Sequence, residues 1–171
     1  MHVQIKRAIA SEAEAVAEIG RQTFYETWKA VNTEEDLQLY MNQAFDPGKI
    51  KKELDQPDIT TYLFIYANGK MAGYAKLRND RTHPLLTGKC IELERIYVLK
   101  EFQGIKAGKA LMDECMGIAS GDGYVCIWLG VNQENFKAIN FYKRYGFEVF
   151  GTKQFKLGNA VDEDFLMKKL L

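Results

Sequence analysis

Histidine and cysteine are scarce in this chain of 171 residues, which contains two histidines and three cysteines. His2 and His83 lie far apart in the sequence, so the chain offers almost no residues from which to form a histidine-based metal site or a Ser-His-Asp triad. Cys90, Cys115 and Cys126 form no C-x-x-C motif, which favours reduced core residues over a metal or redox site. The sequence therefore predicts no metal site.

The chain also has no excess charge and no long apolar run. Lysine plus arginine and aspartate plus glutamate number 23 each, so no general attraction to nucleic acid or to an anionic membrane is implied. No apolar run reaches 18 residues, and the N-terminal MHVQIKRAIASEAEA has no apolar stretch typical of a signal peptide. We therefore expect a single cytoplasmic domain over residues 1–171, with no membrane and no nucleic-acid partner.

The first third of the chain predicts one strand and three helices. His2–Arg7 alternates apolar and polar residues, which is the period of a strand with one buried face. Ser11, with Glu14 three residues later, predicts a capping box that starts a helix ending near Trp28. Two further helices are predicted to begin after the N-cap residues Thr33 and Asp46.

Strand patterns dominate the remainder of the chain. Asn68-Gly69 separates two β-branched and aromatic runs, 61–67 and 70–77, and predicts a hairpin with a type I′ turn. A polar segment at 78–89 predicts a surface loop. Further strands are predicted at 90–98, 124–131, 147–150 and about 162–167, with 151–161 linking the last two. Helices are predicted at about 108–119 and 135–145.

The segment Gln103–Lys109 lies between a predicted strand and a predicted helix. A helix N-terminus carries about half a positive charge and unpaired N–H donors, and two lysines in the segment add full charges. Gly104 and Gly108 permit backbone conformations that other residues avoid. The segment matches neither G-x-x-x-x-G-K-[ST] nor G-x-G-x-x-G. It predicts a phosphate or pyrophosphate site, with a plain strand-to-helix turn as the alternative.

A second motif follows about 30 residues later, N-x-x-A-x-x-F-Y-x-x-x-G-F, matched at Asn135, Ala138, Phe141, Tyr142, Gly146 and Phe147. In this order the two motifs resemble those of the GCN5-related N-acetyltransferases, the GNAT family, whose loop reads [Q/R]-x-x-G-x-[G/A]. Gln103 and Gly108 occupy the first and last places of that loop, while Lys106 stands at the middle glycine place. The resemblance implies an α/β (α+β) acyl-CoA N-acyltransferase fold, with a mixed, mostly antiparallel sheet of about seven strands, splayed between strands 4 and 5 and flanked by helices.

The resemblance also implies an acetyl-CoA site. The strand before the loop offers backbone bonds to the pantetheine arm, the loop holds the pyrophosphate, and the second motif reaches the arm. The implied cofactor-binding residues are Ile96, Tyr97, Val98, Gln103, Gly104, Ile105, Lys106, Ala107, Gly108, Lys109, Asn135, Ala138 and Tyr142.

Three residues are predicted to be catalytic. Glu92 and Glu94 lie two apart in a strand, so their side chains share one face, where a wet cleft would let them attract a cationic amine and relay its proton. Pairing with Arg95 or another cation is the alternative. Tyr142 has an unperturbed pKa near 10 and stands where the family carries the general acid that protonates the coenzyme A thiolate. Ring packing within the helix is its alternative.

Further matches at 92–98, 127–131 and 23–28 are similar to the PaiA type of spermidine/spermine N-acetyltransferase. This implies transfer of acetyl from acetyl-CoA to a primary amine of a small polyamine by direct attack in a ternary complex. Gly130 stands where ribosomal-protein N-terminal acetyltransferases carry a base glutamate, which argues against that branch. The aromatic residues Phe24, Tyr25, Trp28 and Tyr40 are candidates to shape the acceptor pocket, although core packing explains each one singly.

Two other functions stay open at this stage. A protein N-terminal or lysine acetyltransferase would require an open groove between the second helix and 151–161. A regulatory module would have the same fold and would bind acetyl-CoA, but it would not catalyse turnover. The oligomeric state is not readable from the sequence, although the resemblance makes a homodimer an option.

Overall fold

The computed structural model describes residues 2–171, which form one seven-stranded sheet with helices on both faces. The strand order is β1-β2-β3-β4-β5-β7-β6, and every neighbouring pair is antiparallel except β4 and β5. The elements are β1 (Val3–Arg7), α1 (Ala13–Trp28), α2 (Glu34–Ala44), α3 (Pro47–Leu54), β2 (Thr60–Ala67), β3 (Lys70–Arg78), β4 (Cys90–Val98), α4 (Ala107–Gly121), β5 (Cys126–Asn132), α5 (Phe136–Arg144), β6 (Glu148–Leu157) and β7 (Ala160–Leu170).

Two apolar layers cover the sheet. On one face, α4 and α5 bury residues such as Leu111 and Ile139 against the strands. On the other face, α1, α2 and α3 bury residues such as Phe24, Leu37 and Ile50. None of the helices within residues 2–171 is long and apolar enough to cross a membrane.

The sheet is splayed between β4 and β5, as predicted. The two strands pair in parallel only from Cys90, opposite Cys126, to Glu92, opposite Trp128. Beyond that point β4 continues to Val98 and pairs with β3 alone. A register shift in the β3–β4 pairing leaves Glu94 as the extra residue of a bulge. The predicted mixed, splayed sheet is therefore confirmed.

Local sequence signals correctly predict the starts of two helices and the position of one hairpin turn. The Thr33 hydroxyl accepts a hydrogen bond of 3.2 Å from the backbone N–H of Asp36, and Asp46 Oδ1 accepts one of 2.7 Å from that of Lys49. The turn at Asn68-Gly69 has φ angles of 50° and 79°, as a type I′ turn requires. Both caps and the hairpin are confirmed.

The predicted capping box at Ser11 and Glu14 is wrong. A short 3-10 turn occupies Ala10–Glu12, and α1 begins only at Ala13. Glu12 accepts a hydrogen bond of 2.9 Å from the backbone N–H of Ile9 and pairs with Lys6 of β1 at 2.5 Å. The ion pair to the neighbouring strand therefore selects Glu12 for the capping role.

The C-terminal hairpin is much longer than predicted. Segment 151–161 is not a link, because β6 runs to Leu157, β7 begins at Ala160, and the turn is confined to Gly158-Asn159. Phe155 and Leu157 of this hairpin pack against the α1–α2 layer. This tertiary packing, which lies outside the local sequence pattern, explains why the strands extend so far.

Candidate active site

A cleft of about 590 Å³ opens where β4 and β5 part. One half is bounded by the loop before α4 and by α5, and the other half by α1, α2 and the β6–β7 hairpin. Every residue predicted to be catalytic lines this cleft. So do all the predicted cofactor-binding residues except Ile105.

The loop before α4 has the backbone conformation that glycine favours, although Lys106 stands at the middle glycine place. Lys106 has φ +65° and ψ 16°, and Gly104 has φ +89°. A left-handed conformation costs a non-glycine residue about 1 to 2 kcal/mol. No side chain within residues 2–171 caps the start of α4, so its first N–H groups are left unpaired at the wall of the cleft, where they suit an anion.

Two side chains cross the mouth of this loop. Gln103 Nε2 donates a hydrogen bond of 3.2 Å to the Val98 carbonyl oxygen, and Lys137 Nζ donates one of 2.6 Å to Gln103 Oε1. Lys137 and Arg144, both from α5, line the same half of the cleft. The sequence analysis missed these two cations because only the fold brings α5 beside the loop.

The last residues of β4 present an unpaired backbone edge toward β5. Ile96, Tyr97 and Val98 are hydrogen-bonded to β3 on their other side. Across the gap, Asn135 Oδ1 accepts a hydrogen bond of 3.2 Å from the backbone N–H of Ala138. The oxygen of Asn135 is thus used to cap α5, and its amide NH₂ group is the part left to face a ligand.

Tyr142 is a buried side chain of α5 whose hydroxyl has no hydrogen-bond partner among residues 2–171. Its ring packs against Phe141 and Phe147 at centroid distances of 5.7 and 5.8 Å. Burial raises the pKa of Tyr142, so the hydroxyl keeps its proton at neutral pH. The ring is therefore part of the core, while the residue also lines the cleft.

Glu94 is held by basic side chains. Its carboxylate oxygens lie 2.5 Å from Lys76 Nζ and 3.2 Å from Arg81 Nη2. Burial acts to raise the pKa of Glu94, but the charges of Lys76 and Arg95 outweigh burial and lower the pKa to about 2. The cation pairing that the sequence offered as an alternative is thus observed for Glu94.

Glu92 is in a different electrostatic environment. Its side chain is 2% exposed and has one ion-pair partner within residues 2–171, Arg81, at 3.4 Å. Burial raises the pKa of Glu92, and the charge of Arg81 opposes this only partly. Of the two glutamates, Glu92 is the more basic.

Aromatic side chains form one wall of the other half of the cleft. Phe24 and Tyr40 stack at a centroid distance of 4.5 Å, and Tyr40 lies 5.5 Å from Phe155 of β6. Trp28 also lines the cleft, whereas Tyr25 does not and instead donates a hydrogen bond of 3.2 Å to Glu34. These rings serve both as core and as cleft wall.

The β6–β7 hairpin closes over α2 at this end of the cleft. The backbone N–H of Asn159 donates a hydrogen bond of 2.7 Å to Asp36 Oδ1, and Leu157 is fully buried. Gly158 has φ +58°, and a Cβ atom there would lie 2.6 Å from the Asp36 Cα. The groove between α2 and 151–161 is therefore bridged rather than open.

Several charged residues of the cleft were missed by the sequence analysis. Asp164 is 7% exposed although it is the last of three consecutive acids, Asp162-Glu163-Asp164, and such a run is typical of an exposed segment, so no signal in the sequence indicated a cleft residue. Besides Lys137 and Arg144, the missed charged lining residues are Arg81, Lys153, Asp162 and Asp164.

Comparisons with known proteins agree with this architecture. The model of the Acetyltransferase (GNAT) family matches residues 14–147. An uncharacterized N-acetyltransferase of Lactobacillus delbrueckii subsp. lactis is 33% identical over 154 residues, which cover 90% of this chain and 88% of that protein. The spermidine N(1)-acetyltransferase of Thermoplasma acidophilum is 24% identical over 172 residues, which cover 99% of this chain and 98% of that protein.

A solved structure gives the same result for the fold. The crystal structure of PaiA N-acetyltransferase from Thermoplasma acidophilum in complex with coenzyme A has a TM-score of 0.80 and 22% identity, with both chains covered completely. At this identity the likeness shows the fold.

Proposed function

Because this chain belongs to the GNAT family and is an acetyltransferase, we propose that it transfers acetyl from acetyl-CoA to a primary amine of a small polyamine, such as spermidine or spermine. The amine attacks directly within a ternary complex. The observation that carries the choice of a small acceptor is the bridge between the β6–β7 hairpin and α2.

The residues around the loop fit a coenzyme A ester. The uncapped start of α4 and the left-handed turn at Lys106 suit a pyrophosphate, and Lys109, whose ammonium group pairs with Asp113 at 2.5 Å, adds a cation at the cleft. The unpaired edge at 96–98 suits the amides of a pantetheine arm, which it would bind as an added strand. Acetyl-CoA bound there supplies the acetyl group as a thioester.

Tyr142 is proposed to stabilise the departing sulfur. Its hydroxyl is protonated and has no partner in the described chain, so it is available to donate a hydrogen bond. A thiol has an ordinary pKa near 8.5, and the low-polarity surroundings that raise the pKa of Tyr142 also raise that of a thiol beside it. The hydrogen bond from the Tyr142 hydroxyl therefore strengthens as negative charge develops on the sulfur. The hydroxyl proton can then transfer to the departing thiolate.

Glu92 and Glu94 are proposed to act on the acceptor amine in different ways. An alkyl ammonium has an ordinary pKa near 10.4 and no lone pair, so a proton must leave before attack. Glu92, with its raised pKa, is the better proton acceptor. Glu94, with a pKa of about 2, stays ionised and contributes negative charge that attracts the cation.

The shape and charge of the acceptor half support a small cationic amine. Four carboxylates line it, and they outnumber the three cations Arg81, Arg95 and Lys153 by one. The contact between Tyr40 and Phe155 and the hydrogen bond between Asn159 and Asp36 obstruct the path that an extended peptide would take. The similarity to the Thermoplasma spermidine N(1)-acetyltransferase points the same way.

Release of free thiol from acetyl-CoA tests this function. The panel would include spermidine, spermine, 1,4-diaminobutane, free amino acids and peptides with free N-termini. We expect the fastest release with spermidine or spermine. Faster release with a peptide would overturn the choice of acceptor, and no release with any amine would overturn acetyl transfer to these acceptors.

A further inference from the structure

Gly130 leaves a gap in the side-chain layer of β5 that faces the acceptor. A Cβ atom at this position would lie 3.3 Å from Lys153 Nζ and 3.4 Å from Asp164 Oδ2. Lys153 belongs to β6 and pairs with Asp164 of β7 in the hairpin. The space that a side chain at 130 would fill is therefore bounded by an ammonium group and a carboxylate.

Asp164 has no hydrogen-bond or ion-pair partner among the residues that the structure describes. The residue is 7% exposed, and its carboxylate lines the cleft. A buried carboxylate without a partner is costly, and burial raises the pKa of Asp164 to about 6. Lys153 opposes this increase and Asp162 adds to it. Because Asp164 lines the cleft, a ligand can supply the missing partner.

A second carboxylate faces the same space from the other side of the splay. Glu92 of β4 is buried and lines the cleft, and its partner in the parallel pairing is Trp128, two positions before Gly130, so Glu92 and Gly130 lie on the same face of the sheet. The backbone of Lys153 is on the edge strand β6, its side chain is exposed, and only its tip reaches over Gly130. The molecule thus places a methylene and an ammonium group, Cε and Nζ, near two buried acids.

We propose that the space over Gly130 is the ammonium subsite of the acceptor, formed by Asp164 and Glu92 and occupied by the tip of Lys153 until the acceptor displaces it. This inference rests on the proposed function, to which it adds Asp164 and Lys153 as residues that bind or compete with the acceptor ammonium group. The subsite fits a primary amine on an unbranched methylene, as at the end of a polyamine. An α-amino acid would bring its own carboxylate close to Asp164, where like charges repel.

Equilibrium binding tests the subsite without relying on turnover. Isothermal titration of the coenzyme A-saturated protein with butylamine, and with 1-butanol as the neutral analogue, would compare wild type with Asp164→Asn. We expect Asp164→Asn to weaken butylamine binding about tenfold or more, on the usual cost of removing one partner of a buried charge pair. Binding of 1-butanol should not weaken. Glu163→Gln, which removes an exposed carboxylate from the neighbouring position, is the matched control.

A second variant tests the displaceable lysine. Lys153→Gln removes the competing ammonium group and should tighten butylamine binding severalfold. If Asp164→Asn does not fold, the butylamine affinity of Lys153→Gln still tests the subsite. Unchanged butylamine binding in Asp164→Asn, equal wild-type affinity for butylamine and 1-butanol, or weaker amine binding in Lys153→Gln would each overturn the subsite.

The result of these binding experiments can be distinguished from the result of the thiol-release assay that tests the proposed function. Charge-selective binding that depends on Asp164, together with no thiol release, would remove acetyl transfer to the tested amines and keep the subsite. Thiol release with spermidine, together with amine affinity that does not depend on Asp164, would keep the function and remove the subsite.

Discussion

Asn159 and Asp36, 123 positions apart in the chain, are joined by a hydrogen bond of 2.7 Å from the Asn159 backbone N–H to Asp36 Oδ1. This bond fixes the tip of the β6–β7 hairpin to the first turn of α2. The same contact closes the end of the cleft where an extended acceptor would enter. The following predictions test this closure, the proposed chemistry and the charges around it.

Gly158→Ala should loosen the hairpin tip. A Cβ atom at Gly158 would lie 2.6 Å from the Asp36 Cα, so the turn must move away from α2. Gly123→Ala is the matched control, because Gly123 also has a positive φ, +74°, but its Cβ would meet no atom within 4 Å. We expect Gly158→Ala to be less stable than the control by about 1 to 3 kcal/mol in urea unfolding. Equal stabilities would show that the docking contact contributes nothing.

Tyr142→Phe should lower kcat about 100-fold or more and leave the affinity for acetyl-CoA nearly unchanged, because only the hydroxyl is lost. Tyr145→Phe is the control at the C-cap of α5, because Tyr145 does not line the cleft and its hydroxyl is hydrogen-bonded to Asp113 at 2.8 Å and to the Lys109 carbonyl at 3.2 Å. Steady-state kinetics and calorimetric binding separate the two effects. Full turnover in Tyr142→Phe would remove this residue from the mechanism.

Gly108→Asp should weaken acetyl-CoA binding about tenfold, because it places a negative charge at the start of α4, where the diphosphate is proposed to bind. The protein itself tolerates a side chain there, since the nearest atom to a Cβ at 108 is Val98 Cγ2 at 3.9 Å. Gly117→Asp, at an exposed position of the same helix, controls for the added charge. An undiminished affinity in Gly108→Asp would place the diphosphate elsewhere.

Lys106→Gly should stabilise the protein by about 1 kcal/mol relative to Lys106→Ala, because both variants lose the charge but only glycine relieves the left-handed backbone. Urea unfolding of the ligand-free variants measures the difference. If the alanine variant were equally stable, the turn would carry no conformational cost.

Stability should depend on pH through Asp164. Burial raises the pKa of Asp164 from 3.8 to about 6, so its contribution to stability is fully present below about pH 4 and is lost as the pH rises through 6. Asp164→Asn should therefore gain stability relative to wild type as the pH rises from 4 to 7.5, measured as the difference in the free energy of urea unfolding. Lys153 and Asp162 face Asp164 and are unchanged in this comparison. A difference that does not vary with pH would contradict the raised pKa.

The features that could be predicted from the sequence are those with local causes. Thr33, Asp46 and Asn68-Gly69 act on neighbouring backbone, so their patterns identify two helix starts and a turn. The strand, loop and helix around Gly108 are local in the same sense.

The features that escaped prediction depend on residues distant in sequence. Glu12 takes the role predicted for Glu14, accepting a hydrogen bond from the Ile9 backbone N–H, because Lys6 of β1 lies beside it. The hairpin extends to Leu157 because α2 covers it. Asp164 lines the cleft beside Gly130 of the neighbouring strand, where a Cβ atom would lie 3.4 Å from Asp164 Oδ2. No local pattern contains these relationships.

The short pairing between β4 and β5 has a thermodynamic consequence. The two halves of the sheet are joined by backbone pairing over only three positions, Cys90 to Glu92. If acetyl-CoA binds in this gap as proposed, it favours the native state over the unfolded chain by a free energy that grows with the logarithm of the ratio of its concentration to its dissociation constant. Under the proposed function, the stability of the folded enzyme is therefore coupled to the concentration of its own acetyl donor.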